Sequence, residues 1–414
     1  MKRISTDAEY LDSGKLVIDA DGIPIEPADK NYVNSELEPK ADKSYVDEKT
    51  SDEKTAYMPL TRPWGDGPGH TRNYTNMSCR VPLNLQVESE FGIRLGFSNV
   101  EYITETIYSA PAIIDRVFVG QGKRGVDGKL TGEFVTTPVS LLTDPITLPS
   151  DGSTVYTPWG AEGMRLGRDT IVSYGYYLEA DSDYLYAQGS GWRTTNRYDA
   201  GRTTPLNYTN IGGTVSTTLP FVVGAEIKTN APRVLVIGDS HMVGLASGAP
   251  ITGSPASIGA GTGYVPRIHA IGGTRYSTWA DNTLVWEEVG RSGADRVILA
   301  LGSNDLFGGS NVADTKAHFI TVVNKIRDAV GDIPIHVMEV FPRNREAGSS
   351  YMTSMMKDFN TWLYGLPSDI QSVIPTDNLI DPSTGIIDER WISSDNTHLS
   401  LAGNARLAQN FQLS

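Results

Sequence analysis

The sequence predicts an α/β protein: a C-terminal three-layer α/β/α domain built on a parallel sheet, an antiparallel β-sandwich before it, and a short N-terminal stalk. Three observations predict this. From Arg233 onward, buried-strand runs alternate with helical patterns. Between Trp64 and Ala231, short runs rich in Val, Ile, Thr and Tyr alternate with clusters of Gly, Pro, Asp and Ser. Before Trp64 the chain is polar, charged and imperfectly repeated. The changes of texture place three domains at 1–63, 64–231 and 232–414. A chain of 414 residues is longer than one compact core usually takes, which agrees.

In the first segment, "ADKNYV" at Ala28–Val33 recurs as "ADKSYV" at Ala41–Val46. Each copy offers a Tyr-Val pair to a helix face, and Pro27 and Pro39 interrupt any continuous helix. One copy buries little, so the segment is stable mainly by packing against copies of itself. A solvated leader without fixed structure is the alternative. The repeat resembles the stalk segments of bacteriophage tail fibres and tail spikes, whose chains are usually trimeric. That resemblance implies a homotrimer attached through this segment to a virion tail or baseplate. It also implies a protein made in the host cytoplasm and acting at the bacterial cell surface.

In the second segment, "FGIRLGF", "DRVFVG", "GEFVTTPVSL", "DTIVSYGYYLEA" and "TLPFVVGAEI" read as strands of an antiparallel sandwich. Tyr174 and Tyr176 share one strand face, and Tyr184 and Tyr186 another. Such pairs serve a core or a cross-strand contact more often than an exposed sugar-stacking stripe. Trp159 and Trp192 fall in Gly-rich loops and are the candidate ligand contacts.

In the third segment, "RVLVIG", "RVILALG" and "IPIHVMEVFP" read as buried parallel strands. "VADTKAHFITVVNKIRDAV" has helical spacing, with Phe319, Val322, Val323 and Ile326 in one stripe. "YMTSMMKDFNTWLYGL" is a second long helix and "LAGNARLAQNF" a last one. Together they give a doubly wound sheet.

A net charge of −14 argues against nucleic-acid binding and offers no polybasic patch to an anionic membrane. The single cysteine, Cys79, excludes an intrachain disulfide and a cysteine-based zinc site. "MKRISTDAEYLDSG" lacks the apolar core of a signal peptide, and no run reaches the length of a membrane span. His70 lies in a Gly-Pro loop, His269 precedes a glycine turn, His318 is helical and His336 is in a strand. No two have helical metal-ligand spacing, so neither a metal nor another cofactor is implied.

In a doubly wound sheet, sites form at the carboxyl ends of the strands. Ser240 follows the first strand, Asn304 lies in "GSND" after the second, and "DNTH" (Asp395–His398) precedes the last helix. Ser240 reads either as a nucleophile or as a helix cap. Acyl transfer needs a hydroxyl, a base, a carboxylate that orients the base, and donors to an oxyanion. Asp395 and His398 can meet if their segment turns back on itself, leaving the far imidazole nitrogen for Ser240. The Ser240 N–H, the Asn304 amide and a backbone N–H of "AIGGTRYST" could serve the oxyanion. Asp239, adjacent to Ser240, should diverge from that axis and serve the turn, and Asp305 should brace Asn304. His241 reads as a first-turn residue pointing elsewhere. Arg343, in "VFPRNRE" after a strand end, is a candidate substrate contact or, on the bland reading, a solvated loop cation.

"GDS" (Gly238–Ser240), "GGT" (Gly272–Thr274), "GSND" and "DNTH" occur in the order and spread of the four blocks of the SGNH (GDSL-type) hydrolase superfamily, which residues 232–414 resemble. The resemblance implies Ser240 as nucleophile, His398 as base and Asp395 as its orienting acid. It implies Ser240 N–H, Gly273 N–H and the Asn304 side chain as the oxyanion hole. Two departures stand out: His241 where many members have Leu or Ile, and Ala270 in place of the glycine block's leading Gly, which leaves Gly272 an alternative to Gly273. Stalk, sandwich and hydrolase domain together resemble a virion enzyme that removes O-acetyl groups from an acylated surface glycan of the host. The small, polar stretch after Ser240 weighs against a lipase for long acyl chains. A general esterase or thioesterase, or a receptor-binding adhesin with an idle hydrolase fold, are the alternatives.

Overall fold

The structure is a computed structural model. It describes residues 92–101, 105–107, 112–126, 130–167, 169–178, 231–244, 264–344, 349–366, 370–411 and 413. It also describes residues 254–255 and the segments 17–18, 24–25, 54–58, 70–72, 76–83, 184–188, 197–200, 214–215, 218–219 and 222–229. The two "ADK" repeats, Trp192 and most of the stretch after Ser240 lie outside the described residues, as do the side chains of Tyr184 and Tyr186.

The strands before Ala231 pair antiparallel. Thr170–Leu178 lies between Asn76–Pro82 and Ala112–Arg124 at the centre of one sheet. Ile93–Phe97 and Val222–Thr229 form the centre of a second. Val117, Val119, Tyr174 and Tyr176 from the first sheet share one apolar cluster with Ile93, Leu95, Phe97, Ala225 and Ile227 from the second. Tyr174 and Tyr176 are therefore core residues, and Tyr174 meets Phe97 edge-on at 5.5 Å. Cys79 belongs to this core, and burial pushes its thiol up to about 12 against a hydrogen bond with Tyr174. Two local readings change. Lys54–Met58 pairs with Val222–Thr229, so a strand from before Trp64 completes the second sheet. His70 opens a strand, His70–Arg72, because Tyr184–Gln188 supplies a partner that its Gly-Pro surroundings do not reveal.

After Ala231 the sheet is parallel. Its strands are β1 (Arg233–Gly238), β2 (Val265–Ala270), β3 (Arg296–Ala300), β4 (Ile335–Met338) and β5 (Ser372–Ile374), in the order β2-β1-β3-β4-β5. Sequence patterning misses β2, where Pro266, Arg267 and His269 obscure the strand signal. Pro266 is tolerable because β2 is an edge strand. The helices are α1 (Ser240–Val243), α2 (Tyr276–Asp281), α3 (Val285–Gly290), α4 (Ser303–Phe307), α5 (Val312–Val330), α6 (Ser350–Leu363) and α7 (Leu401–Ala408).

Alternation along the strands builds the layers. Leu235, Ile237, Val297 and Leu299 pack with Phe319, Val322, Val323 and Ile326 of α5 on one face. Val234, Val236, Ile298 and Ala300 pack with Met242 and Leu407 on the other. Each of the four α5 side chains is at most 2% exposed, worth about 1.5–3 kcal/mol apiece relative to exposure.

A buried carboxylate ties this unit to the antiparallel region. Glu288 on α3 accepts from Arg267 Nη2 and Arg291 Nη1, each at 3.1 Å, and from Thr154 Oγ1 at 2.5 Å. Glu105 also crosses the junction. Its Oε1 accepts from Thr283 Oγ1 at 2.7 Å and from the Leu284 N–H at 3.0 Å, at the start of α3.

Candidate active site

Parallel pairing sets three strand ends level, because Gly238 lies opposite Ala270 on one side and Ala300 on the other. The residues that follow these ends converge, at the point where strand order reverses about β1. Gly238 permits the tight entry into α1: a Cβ there would sit 2.4 Å from Met242 Cγ and 3.2 Å from the Ala300 carbonyl oxygen.

The helix cap is Asp239, not Ser240. Asp239 has extended backbone and its Oδ1 accepts the His241 N–H at 3.0 Å. That frees the Ser240 hydroxyl, which lies 2.8 Å from His398 Nε2. On the far side of the imidazole, His398 Nδ1 lies 2.7 Å from Asp395 Oδ2. The reversal that joins Asp395 to His398 is local. Asn396 has φ +56, a left-handed conformation Asn adopts more readily than most residues, and the Ser393 N–H donates to the His398 carbonyl at 2.8 Å. Asp395 Oδ1 also accepts from the Ser393 hydroxyl at 2.7 Å and from the N–H groups of Thr397 and His398, both at 2.9 Å. Burial alone would raise the Asp395 pKa. The His398 side chain and N–H, with Ser393 and Thr397, outweigh it and hold the carboxyl well below the usual range. Its contribution to stability is therefore present above the ordinary carboxyl value of 3.8 and is lost as pH falls below it.

Asn304 is the second residue of α4. Its Nδ2 donates to the Thr274 carbonyl at 3.0 Å and to Asp239 Oδ2 at 3.3 Å. Gly273, exposed and at φ +78, adopts a backbone that favours glycine; no neighbour lies within 4 Å of where its Cβ would be. Among the described residues, neither the Ser240 nor the Gly273 N–H donates to a backbone carbonyl. Burial pushes Asp239 up to about 6, against the pull of the His241 N–H, Arg343 and His398. Asp305 is likewise pushed up to about 6 by burial; its carboxylate accepts the Tyr276 N–H at 3.0 Å, tying α4 to α2.

Two neighbours differ from their sequence readings. His241 does not point away. It is buried, its ring lies 5.2 Å from that of His398 and 4.6 Å from that of Phe341, and its Nε2 is 3.4 Å from Ser303 Oγ. Burial holds it well below the usual histidine value, so it is a neutral ring beside the His398 imidazole. Arg343 is neither a solvated loop cation nor aimed at solvent. Its Nη2 donates to Asn304 Oδ1 at 2.8 Å and its Nε to Ser303 Oγ at 3.0 Å. The strand-end position was readable; this partnership across β3 and β4 was not. Trp159 lies in the antiparallel region, with the Arg94 guanidinium 4.8 Å and Lys228 Nζ 5.2 Å from its ring. Ser393 and Thr397, which hold Asp395, were missed as well; small hydroxyl residues two positions either side of an Asp are the signal.

A hydroxyl, an imidazole and a carboxylate in series can move a proton off the hydroxyl as it attacks an electrophile. Among the described residues, no three His, Cys, Asp or Glu side chains are grouped to hold a metal ion.

Residues 236–406 match the GDSL-like Lipase/Acylhydrolase family. No curated protein matches the chain in sequence. Among solved structures, a member of the lipolytic protein G-D-S-L family from Veillonella parvula is similar at 13% identity and TM-score 0.36, over 44% of this chain and 96% of that one. The esterase EstA from a Pseudoalteromonas species is similar at 15% and 0.34, over 43% and 93%. A family two carbohydrate esterase from Clostridium thermocellum is similar at 15% and 0.33, over 87% and 96%.

Proposed function

We propose that residues 236–406, which match the GDSL-like Lipase/Acylhydrolase family, form a hydrolase domain of the SGNH superfamily, and that the protein is a serine esterase that removes O-acyl groups, acetyl foremost, from a bacterial surface polysaccharide. The observation that carries the esterase reading is the series Ser240–His398–Asp395, with contacts of 2.8 and 2.7 Å. Ser240 Oγ attacks the ester carbonyl carbon while His398 Nε2 takes its proton. Asp395 holds the Nδ1–H and stabilises the imidazolium. As the carbon–oxygen bond to the sugar breaks, His398 returns the proton to the leaving alkoxide. Water, deprotonated by His398, then cleaves the acyl-serine to release the acid and restore Ser240.

The negative oxygen of each tetrahedral intermediate is met by the Ser240 and Gly273 N–H groups and by Asn304 Nδ2, which turns to it the hydrogen that otherwise makes the longer, 3.3 Å contact with Asp239 Oδ2. Asn304→Ala is expected to lower kcat for 4-nitrophenyl acetate by about 10²- to 10³-fold with KM little changed, read from initial rates. Asp395→Ala should cost less than loss of His398, because Asp395 orients the base and takes no part in bond exchange; steady-state rates of the two variants decide the order.

The substrate class is supported by what accompanies the hydrolase domain in the chain. The "ADK" repeat resembles phage stalk segments, a strand-rich region read as a sandwich ahead of such a hydrolase domain resembles the arrangement of carbohydrate esterases, and the stretch after Ser240 is small and polar. On this reading the protein is a homotrimer of the virion tail, acting at the bacterial surface. The test is acetate release from 4-nitrophenyl acetate and from an acetylated polysaccharide, wild type beside Ser240→Ala. Ser240-dependent release from the polysaccharide is expected. Release from the small ester alone would move the substrate to a general esterase or thioesterase class. Release from neither would leave an adhesin.

A further inference from the structure

We infer that Arg343 is a positioning residue that fixes which end of the Asn304 amide faces the reacting centre. The inference rests on the esterase reading only for what that amide does, not for how it is held. A carboxamide has an acceptor end and a donor end of nearly equal size, and a half-turn about its last bond exchanges them. The three neighbours of Asn304 admit one orientation. The guanidinium of Arg343 is donor-only and lies 2.8 Å from Oδ1. On the other side stand acceptors: the Thr274 carbonyl at 3.0 Å and Asp239 Oδ2 at 3.3 Å from Nδ2. Reversing the amide would set N–H against N–H on one side and oxygen against oxygen on the other, so the donor end is held beside the Ser240 turn.

Arg343 is itself anchored. Its Nε donates to Ser303 Oγ at 3.0 Å, one residue before Asn304, and its guanidinium carbon lies 5.1 Å from the centre of the Phe307 ring. Two donors of one planar group thus engage consecutive side chains at the start of α4, a pattern that a lysine ammonium does not reproduce. The hydroxyl of Ser303 continues the chain toward His241 Nε2 at 3.4 Å, beneath the imidazole of His398. Arg343 approaches from beyond the end of β4, whereas Asn304 comes from beyond β3, so the brace spans two strand ends.

The test is a double-mutant cycle with 4-nitrophenyl acetate, joined to crystal structures of the variants. Arg343→Met is expected to lower kcat by about 10- to 100-fold, the cost of a misplaced catalytic donor, with KM nearly unchanged. Arg343→Lys should recover part of that loss. In an Asn304→Ala background, Arg343→Met should cost little more, because the group it positions is gone. Losses that multiply in the double variant, or an effect confined to KM, would overturn the inference and make Arg343 a substrate contact. Independently of turnover, the Arg343→Met structure is expected to show the Asn304 amide displaced from Thr274 and Asp239. An unmoved amide would overturn the inference even if activity fell. If wild type showed no Ser240-dependent turnover at all, the esterase reading would fail, and the displaced or unmoved amide would still decide the role of Arg343.

Discussion

Ser240→Ala is expected to lower turnover of 4-nitrophenyl acetate by about 10⁴- to 10⁶-fold while leaving the unfolding midpoint almost where it was. The two halves of this expectation have separate causes. Activity falls because the only hydroxyl within reach of His398 Nε2, at 2.8 Å among the described residues, is removed. Stability holds because the cap of α1 is the Asp239 carboxylate, which the substitution leaves in place. Were Ser240 the cap, its loss would cost about 1 kcal/mol of stability. Initial rates and thermal unfolding of the same preparation therefore separate nucleophile from cap. Residual activity near wild type would sink the assignment of Ser240; a dead variant with a markedly lower midpoint would leave the loss attributable to the fold.

The second large effect concerns stability. Glu288→Ala is expected to destabilise the protein by about 3–5 kcal/mol in urea unfolding. Glu288 is 4% exposed and Arg267 is 2% exposed, so the deletion takes from a guanidinium deep in the protein the carboxylate that accepts its hydrogen bond. It also removes the acceptor for Thr154, across the junction with the antiparallel region. Glu288→Gln separates charge from shape, since it keeps the side-chain volume and an acceptor but not the negative charge. If both variants lost less than about 1 kcal/mol, as an exposed pair would, the buried network would not be what holds this junction.

The paired histidine rings explain why some of the site could not be read from local sequence. His241 follows Ser240 directly, and in an isolated helix turn its side chain would diverge from the serine's. Tertiary packing against Phe341 and Ser303 instead places it beneath His398. Arg343 poses the same problem: a strand-end Arg in "VFPRNRE" has no local partner, and the residues it engages lie 39 and 40 positions away. β2 was hidden for a different reason, since an edge strand tolerates the Pro and charged residues that a central strand would exclude.

What the sequence by itself determined are the features written in short-range patterns. The parallel α/β character after Arg233 follows from apolar runs and helical stripes, and α5 runs from Val312 to Val330, the segment that its spacing marks as helical. That Asp395 can meet His398 follows from their three-residue separation if the segment turns back; the left-handed Asn396 that makes the turn is seen only in the structure. Tertiary structure alone decided the strand order about β1, the use of Asp239 rather than Ser240 as cap, the lodging of His241 beside His398, and the direction of the Asn304 amide. The physical reason is one of range. Periodicity and turn chemistry are fixed by neighbours along the chain, whereas the choice among hydrogen-bond partners is fixed by whichever groups folding brings within about 3 Å.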